Sequence, residues 1–153
     1  MPGLFFITQK KMKAITRSYL VELYLGTSAP GTGAQINFQD YPELRNVFIT
    51  GVEVLGTTYL TKAPSGKNVV SSNLLPSIVL NLVDVKTNIK IYNYPTFDLQ
   101  PSNVSGYYRD FEPFKLNLVK SYITILDSVG FVANESLCFN FFYIRENDYK
   151  ERS

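Results

Sequence analysis

The stretch 137-LCFNFFY-143 decides the fold class, because its side chains alternate with a period of two. One face of an extended chain would carry Leu137, Phe139, Phe141 and Tyr143, and the other face Cys138, Asn140 and Phe142. A period of two is that of a β-strand, and aromatic side chains fit the pleated, half-buried surface of a sheet. The stretch therefore predicts a strand.

The same alternation recurs along the chain, whereas helical periodicity is almost absent. Further strands are predicted at Ser18–Leu25, Asn46–Leu55, Ser77–Val85, Asn88–Tyr94 and Lys115–Leu126. Gly51 interrupts the second of these strands and predicts a bend or bulge there. Lys86 and Thr87 separate the third from the fourth, which predicts a hairpin. Lys120 and Ser121 predict a bend or a switch between sheets, so that the last range is compatible with one strand or with two.

Prolines lie between these apolar runs, as expected of a residue that cannot donate to a ladder of strands. Tyr41–Arg45 is predicted as a short helical turn, and Met12–Tyr24 has an alternative interpretation as a helix. Many short strands divided by turn signals, with no long helix, predict an all-β fold. The specific prediction is an antiparallel β-sandwich, a jelly roll of about eight strands.

The distribution of charge divides the chain into three parts. No Asp or Glu precedes Glu22, whereas Lys10, Lys11, Lys13 and Arg17 do. Between residues 18 and 144 there are 10 acidic and 8 basic residues, which is too little positive charge for a nucleic-acid-binding surface. The predicted parts are a basic N-terminal arm at 1–17, the β-sandwich domain at 18–144 and a charged C-terminal tail at 145–153.

The composition removes most catalytic and metal-dependent chemistry. The chain has no histidine, which is the side chain that titrates nearest neutral pH and the commonest metal ligand. Without a histidine to activate it, Cys138 is predicted to be a buried structural thiol. Asp110 and Glu112 would share one strand face, which is not the cross-site geometry of a glycosidase. We therefore expect no enzymatic activity, no catalytic residue, no metal and no cofactor.

Hydrophobic runs in the chain are short. None approaches the roughly 20 apolar residues that a membrane-spanning helix needs, and Leu4–Ile7 lacks the length and order of a secretory signal. We therefore expect synthesis in a cytoplasm and no membrane contact.

The segment Tyr92–Phe114 concentrates aromatic side chains and three prolines, and it predicts a long ordered loop. Aromatic residues together with arginine are enriched at protein interfaces. The alternative is that the rings only cover one end of the sandwich. The basic arm could likewise contact an acidic partner or phosphates, or act only as a solubilising terminus. The candidate interface residues are Lys10, Lys11, Lys13, Arg17, Tyr92, Tyr94, Phe97, Tyr107, Tyr108, Arg109 and Phe111.

The run Phe111–Ile123, taken with Asn46–Val54, Leu80–Val85 and Ile89–Pro95, resembles small β-sandwich structural proteins of bacteriophage virions. The similarity is nearest to capsid-associated or connector-associated proteins of crAss-like tailed phages. This resemblance implies a non-enzymatic subunit, present in many copies on a symmetric particle, whose termini and loops reach onto neighbours. It implies no role for any individual residue.

The expected function is therefore that of a virion structural protein made in the host cytoplasm. Its expected partners are other copies of itself and other virion proteins, and contact of the arm with nucleic acid is the less favoured alternative. A second hypothesis, from a different class, is a carbohydrate- or host-surface-binding module that uses Tyr92, Tyr94, Tyr107 and Tyr108.

Overall fold

The computed structural model of this chain describes residues 16–101 and 109–148. Within these ranges the chain forms nine strands, which are β1 (Arg17–Tyr24), β2 (Gln35–Asn37), β3 (Val47–Leu55), β4 (Asn68–Val69), β5 (Ile78–Val83), β6 (Ile89–Pro95), β7 (Arg109–Lys115), β8 (Tyr122–Ile125) and β9 (Glu135–Arg145). Short 3₁₀ turns lie at Pro42–Leu44, Ser72–Ser77, Thr96–Leu99 and Leu118–Lys120. No helix in the described ranges has the length and apolar character needed to cross a membrane.

The strands form two sheets, and the all-β sandwich predicted from the alternation is confirmed. The first sheet has the order β1-β9-β3-β7, with the two-residue β4 pairing parallel to β9. The second sheet has the order β2-β8-β5-β6, and every other strand pair in both sheets is antiparallel. One hydrophobic core joins them, with Ile49 and Phe139 from the first sheet and Leu80 and Ile123 from the second all fully buried.

The strand pairs are nested along the chain. Strand β5 pairs with β6, β3 with β7, β2 with β8 and β1 with β9. Each pair encloses the previous one, as though the chain were folded in half about the turn between β5 and β6. Because these pairs alternate between the two sheets, β6 and β7 are consecutive strands that end on the edges of different sheets.

The stretch that decides the fold class lies in β9, the longest strand, which is buried at the centre of the first sheet. Its predicted inner face is completely buried at Leu137, Phe139 and Phe141. Strand β9 pairs with β1 over eight residues without a register shift, from Arg17 opposite Tyr143 to Tyr24 opposite Ser136. The strand interpretation of this region is thus confirmed, and the alternative helix is wrong for the described part of Met12–Tyr24.

Three predicted irregularities are present. A register shift between Ile49 and Gly51 makes Thr50 an extra residue of β3 relative to β9, which is the predicted bulge. The bend at Lys120 is the end of a 3₁₀ turn, after which the chain moves from the first sheet into β8 of the second. The helical turn predicted at Tyr41–Arg45 is the 3₁₀ turn at Pro42–Leu44.

The predicted hairpin is formed by β5 and β6, and its turn needs no glycine. Thr87 adopts a φ of 65°, in the left-handed region. The Asp84 side chain stabilises this turn by accepting hydrogen bonds from the backbone amides of Lys86 and Asn88, both at 2.9 Å. An Asp side chain that bonds the amide two residues ahead is a common way to stabilise such a turn.

One prediction is corrected: Tyr92–Phe114 is not a single long loop. Tyr92 and Tyr94 lie in β6, Phe97 lies in the 3₁₀ turn that follows, and Phe111 and Phe114 lie in β7. The prolines suggested a loop, but β6 and β7 are both edge strands, and an edge strand tolerates a residue that lacks a backbone donor. Pro95 closes β6 and Pro113 lies inside β7. Residues 102–108 lie outside the described ranges.

Candidate functional site

The candidate interface residues separate into three groups. Lys10, Lys11, Lys13, Tyr107 and Tyr108 lie outside the described residues. Arg17 is the first residue of β1, half-buried and paired across the sheet with Tyr143. It lies at the opposite edge of the first sheet from β7. The remaining residues belong to β6, β7 and the turn between them, and they are Tyr92, Tyr94, Phe97, Arg109 and Phe111.

The described aromatic residues of this group differ in exposure. Tyr92 is 69% exposed and Phe97 is 50% exposed, which are large values for aromatic side chains. Tyr94 is half-buried and packs against the core, so the interpretation as core cover holds for this ring. Phe111 is also half-buried and packed against the core, and it stacks on Phe114 with ring centroids 5.5 Å apart. Arg109 is the first residue of β7, and its backbone pairs with that of Val52 in β3.

Strands β6 and β7 border an open groove between the two sheets. Its cavity has a volume of about 200 Å³ and is lined by Lys90, Ile91, Phe111, Glu112, Pro113 and Phe114, a set we call the β6–β7 groove. Strand β7 pairs irregularly beside the groove, because residues 111–113 lie opposite the single residue Thr50 of β3. Its apolar surface consists of Ile91 from one sheet and the stacked Phe111 and Phe114 from the other.

The two charged residues of the groove have opposite signs. Lys90 comes from β6 and Glu112 from β7, and both are exposed residues. The Lys90 ammonium lies 3.9 Å from a carboxylate oxygen of Asp84, a long ion pair for a lysine that is 47% exposed. A pair of this kind at the surface contributes little and holds the side chain loosely. The groove thus has an apolar surface with one cation and one anion beside it.

Sequence reasoning missed Lys90 as an interface residue and considered Glu112 only as half of a carboxylate pair. The two residues are far apart in sequence and belong to different sheets, so only the topology brings them to one groove. The aliphatic side chains Leu126, Val129 and Val132 were missed as well, although all three are more than half exposed. The sequence feature that could have indicated these three exposed residues is the group of apolar residues around Gly130 in a turn-rich segment.

A hydrogen-bonded cluster around one carboxylate lies on the outer face of the first sheet. Glu22 of β1 accepts hydrogen bonds from the Ser65 amide at 3.0 Å, from the Ser65 hydroxyl and from the Ser136 hydroxyl at 2.7 Å. Burial by itself raises the pKa of Glu22, but these hydrogen bonds and the nearby charge of Lys67 lower it below its ordinary value. A carboxylate held ionised by three donors is a poor proton acceptor, so this cluster fastens the loop before β4 to the sheet.

Cys138 lies beneath this cluster and is completely buried, as predicted. Burial, together with the charge of Glu22, raises the pKa of its thiol to about 11. A thiol with this pKa is almost entirely protonated at neutral pH and is a weak nucleophile. Within residues 16–101 and 109–148, His, Cys, Asp and Glu side chains do not gather in threes as a metal site would require.

Comparison of the chain with models of known protein families, with curated proteins and with solved structures finds no match.

Proposed function

We propose that this chain is a non-enzymatic structural subunit of a viral particle, most similar in role to the capsid- or connector-associated proteins of tailed bacteriophages. Its sandwich domain is the rigid body of the subunit. The β6–β7 groove and the exposed rings of Tyr92 and Phe97 contact neighbouring copies or other virion proteins, and the basic N-terminal arm pairs with acidic surfaces on them. The assignment of the chain to a virion rests on the sequence resemblance. The choice of the contacting surface rests on the geometry of β6, β7 and the turn after β6.

The nested strand pairs support a jelly-roll topology. Apart from the short β4, eight strands divide equally between the two sheets and pair in the order expected of a chain folded in half. Jelly rolls are frequent in viral capsid and lectin domains. A fold alone does not define a function, and a jelly roll is compatible both with a capsid subunit and with a lectin-like module.

The observation that carries the proposal is that exposed aromatic side chains and an apolar groove belong to the same edge strand and the turn that follows it. Tyr92 adjoins the groove in sequence, and Phe97 follows in the next turn. Aromatic anchors that fill apolar pockets supply most of the binding energy at protein interfaces. A partner that covers Tyr92, which is 69% exposed, and Phe97, which is 50% exposed, would remove apolar surface from water and so favour association.

The test is to purify viral particles from the source of this sequence and to quantify the chain by mass spectrometry against the major capsid protein. The proposal predicts a fixed number of copies per particle that survives repeated gradient purification. A chain that is produced during infection but absent from purified particles would contradict it.

The exposed tyrosine next to a groove also favours a second candidate, a carbohydrate-binding module, because sugar rings stack on exposed aromatic faces. Binding of the purified protein to a glycan array, lost in the Tyr92→Ala variant and retained in Val129→Ala, would favour this candidate. If the chain is absent from particles and binds glycans in this way, the carbohydrate-binding role replaces the structural role.

A further inference from the structure

We propose that the N-terminal arm of this chain folds back onto its own sandwich, so that the apolar run 4-LFFI-7 covers the β6–β7 groove and the lysines after the run lie beside Glu112. The inference rests on the proposed function only for its biological role. If neighbouring subunits contact the groove, the arm covers it in the free chain and must leave it before they bind.

The arm begins in the same row of the first sheet as the groove. Arg17, the first residue of β1, pairs with Tyr143 of β9. Tyr143 pairs in turn with Ile49 of β3, and Ile49 pairs with Phe114 of β7. Although β1 and β7 are opposite edges of this sheet, the start of β1 is therefore only three strand spacings, about 14 Å, from a residue that lines the groove.

The arm is also long enough to reach the groove. The ten residue steps from Ile7 to Arg17 span at most roughly 33–36 Å when extended. Crossing three strand spacings and the separation of two stacked sheets requires about 25 Å. A segment tethered this close has a local concentration on the order of millimolar at the groove, which the same segment of a separate molecule does not have in dilute solution. The geometry therefore favours the chain's own arm over the arm of a second copy.

The apolar run of the arm matches the groove in size and chemistry. The segment 4-LFFI-7 is the longest uninterrupted apolar run outside the described ranges. The groove presents Ile91, Phe111 and Phe114 in a volume of about 200 Å³. Because an apolar cavity of about 150 Å³ accommodates a benzene ring, this volume suits one aromatic ring of the run. Docking of that ring removes apolar surface from water on both sides of the contact.

The charges beside the groove favour a cationic segment. The Lys90 ammonium lies 3.9 Å from Asp84, so these two charges offset each other. The Lys115 ammonium is likewise paired, at 3.3 Å from Glu146. Glu112 is exposed and takes part in no ion pair within residues 16–101 and 109–148. The arm supplies the complementary charge, because three lysines and no acidic residue follow its apolar run before β1.

The two strands that border the groove disfavour the alternative in which the arm pairs as an extra strand. Strand β7 carries Pro113, which has no backbone donor, and its residues 111–113 leave the regular register. Strand β6 contains two register shifts and a left-handed Asn93 with a φ of 45°. Edges of this kind discourage backbone pairing, so side chains must provide the contact.

The experiment places a nitroxide spin label on Thr8→Cys, next to the apolar run, and measures paramagnetic broadening of the amide NMR signals of the full chain. Cys138 is completely buried and its thiol has a pKa of about 11, so the label reacts with the new cysteine. We expect the signals of Ile91 and Phe114 to lose most of their intensity. The signal of Ile125, which pairs with the end of β5 remote from the hairpin, should keep its intensity.

Substitutions in the arm test which side chains hold it. Phe5→Ser combined with Phe6→Ser should restore the signals of the groove, whereas Met12→Ser, at an apolar arm residue outside the run, should leave them broadened. These substitutions alter no residue of the two sheets, so a loss of folding cannot explain a difference between them. Broadening that persists in the double variant, or that is lost equally in the control, would overturn the inference.

A substitution in the groove tests the charge. Glu112→Lys should weaken the broadening, because it replaces the unpaired anion by a cation that repels the lysines of the arm. The control is Asp127→Lys, which makes the same change of charge beyond β8, at the end of the second sheet remote from the groove. Equal broadening in the two variants would contradict the pairing of the arm with Glu112.

A mixture distinguishes the chain's own arm from that of a neighbour. Spin-labelled chain of natural isotopic composition is combined with isotopically enriched chain that has no label, so that only docking between copies broadens the observed signals. We expect no broadening at Ile91 and Phe114 in this mixture. Broadening there, or its absence within the labelled chain itself, would overturn the inference.

Failure of this inference is distinguishable from failure of the proposed function. A chain that is present in purified particles but whose label leaves the groove signals unchanged keeps the structural role and removes the docked arm. A chain whose arm covers the groove but that is absent from particles keeps the docked arm and removes the structural role.

Discussion

At the scale of single residues, Glu22 shows how a carboxylate can serve the fold rather than chemistry. Its three hydrogen-bond donors come from Ser65 and Ser136, which are distant in sequence. The contacts join β1, β9 and the loop before β4. No local pattern around Glu22 indicates this role, because a Glu on a strand face is usually solvated, and the partners meet only after the sheet has formed.

Glu22→Gln should lower the free energy of unfolding by about 1–2 kcal/mol at neutral pH, because the amide cannot replace a charged acceptor of three hydrogen bonds. The lowered pKa of Glu22 gives this contribution a definite pH dependence. It is complete above the ordinary value of 4.5 and is lost as the pH falls through the lowered folded-state value. Urea unfolding at neutral and acidic pH should therefore show that natural and variant proteins converge in acid.

The matched control is Glu43→Gln, at an exposed carboxylate in the turn at Pro42–Leu44. It should change stability by less than about 0.5 kcal/mol at any pH. A difference between the natural protein and Glu22→Gln that persists unchanged in acid would contradict the assignment.

At the scale of elements, the edges of the sheets are protected in different ways. The β1 edge is regular over eight residues, and Tyr41 covers part of it. The Tyr41 hydroxyl donates to the Glu22 carbonyl oxygen at 2.9 Å and accepts from the Glu22 amide at 3.2 Å, so it occupies the hydrogen-bond pair that an incoming strand would use. Side chains that block an edge in this way limit aggregation between sheets.

Tyr41→Phe should cost about 1 kcal/mol of unfolding free energy, because one oxygen satisfies two backbone groups. The specific readout is amide hydrogen exchange. The Glu22 amide should lose protection, whereas the amides of Val21 and Leu23, on the side of β1 that pairs with β9, should keep theirs. Tyr59→Phe, which removes a hydroxyl bonded to the Pro101 carbonyl in an exposed loop, is the control. Unchanged exchange at Glu22 in Tyr41→Phe would contradict the edge-protection role.

The individual strands could be predicted from sequence because a period of two is a local property. The alternation in β9, the interruption at Gly51 and the hairpin between β5 and β6 were all visible in short windows. The segment Tyr92–Phe114 was misread because prolines and tyrosines at the edge of a sheet have the same local composition as a loop. Whether such a segment pairs is decided by strands far away in sequence.

At the scale of the whole molecule, one core stabilises both sheets. Phe139 of β9 packs edge-on against Phe38, with ring centroids 5.1 Å apart, and Ile123 of β8 is buried in the same cluster. The order of strands could not be predicted, because nearly all of the pairs that set it are long-range. For the same reason the β6–β7 groove was not visible in the sequence, although several of its residues were identified individually.

A main core shared by both sheets predicts a single unfolding transition. Phe139→Leu should lower the free energy of unfolding by about 1–2 kcal/mol and Ile123→Val by about 1 kcal/mol, with both sheets melting together in each case. Far-ultraviolet circular dichroism and tyrosine fluorescence should report the same midpoint. Val129→Ala, at a side chain that is 77% exposed, should leave that midpoint unchanged. Separate transitions for the two probes would contradict the claim that both sheets unfold together around a shared core.

The claim that the chain assembles through the exposed side chains of β6 is tested most directly inside the particle. A benzophenone amino acid in place of Tyr92 would be irradiated in assembled particles built from isotopically light and heavy copies, and the cross-linked peptides identified by mass spectrometry. We expect cross-links from position 92 to a second copy of the chain, seen as mixed light–heavy peptides, or to another virion protein. Cross-links confined to one copy would contradict this expectation.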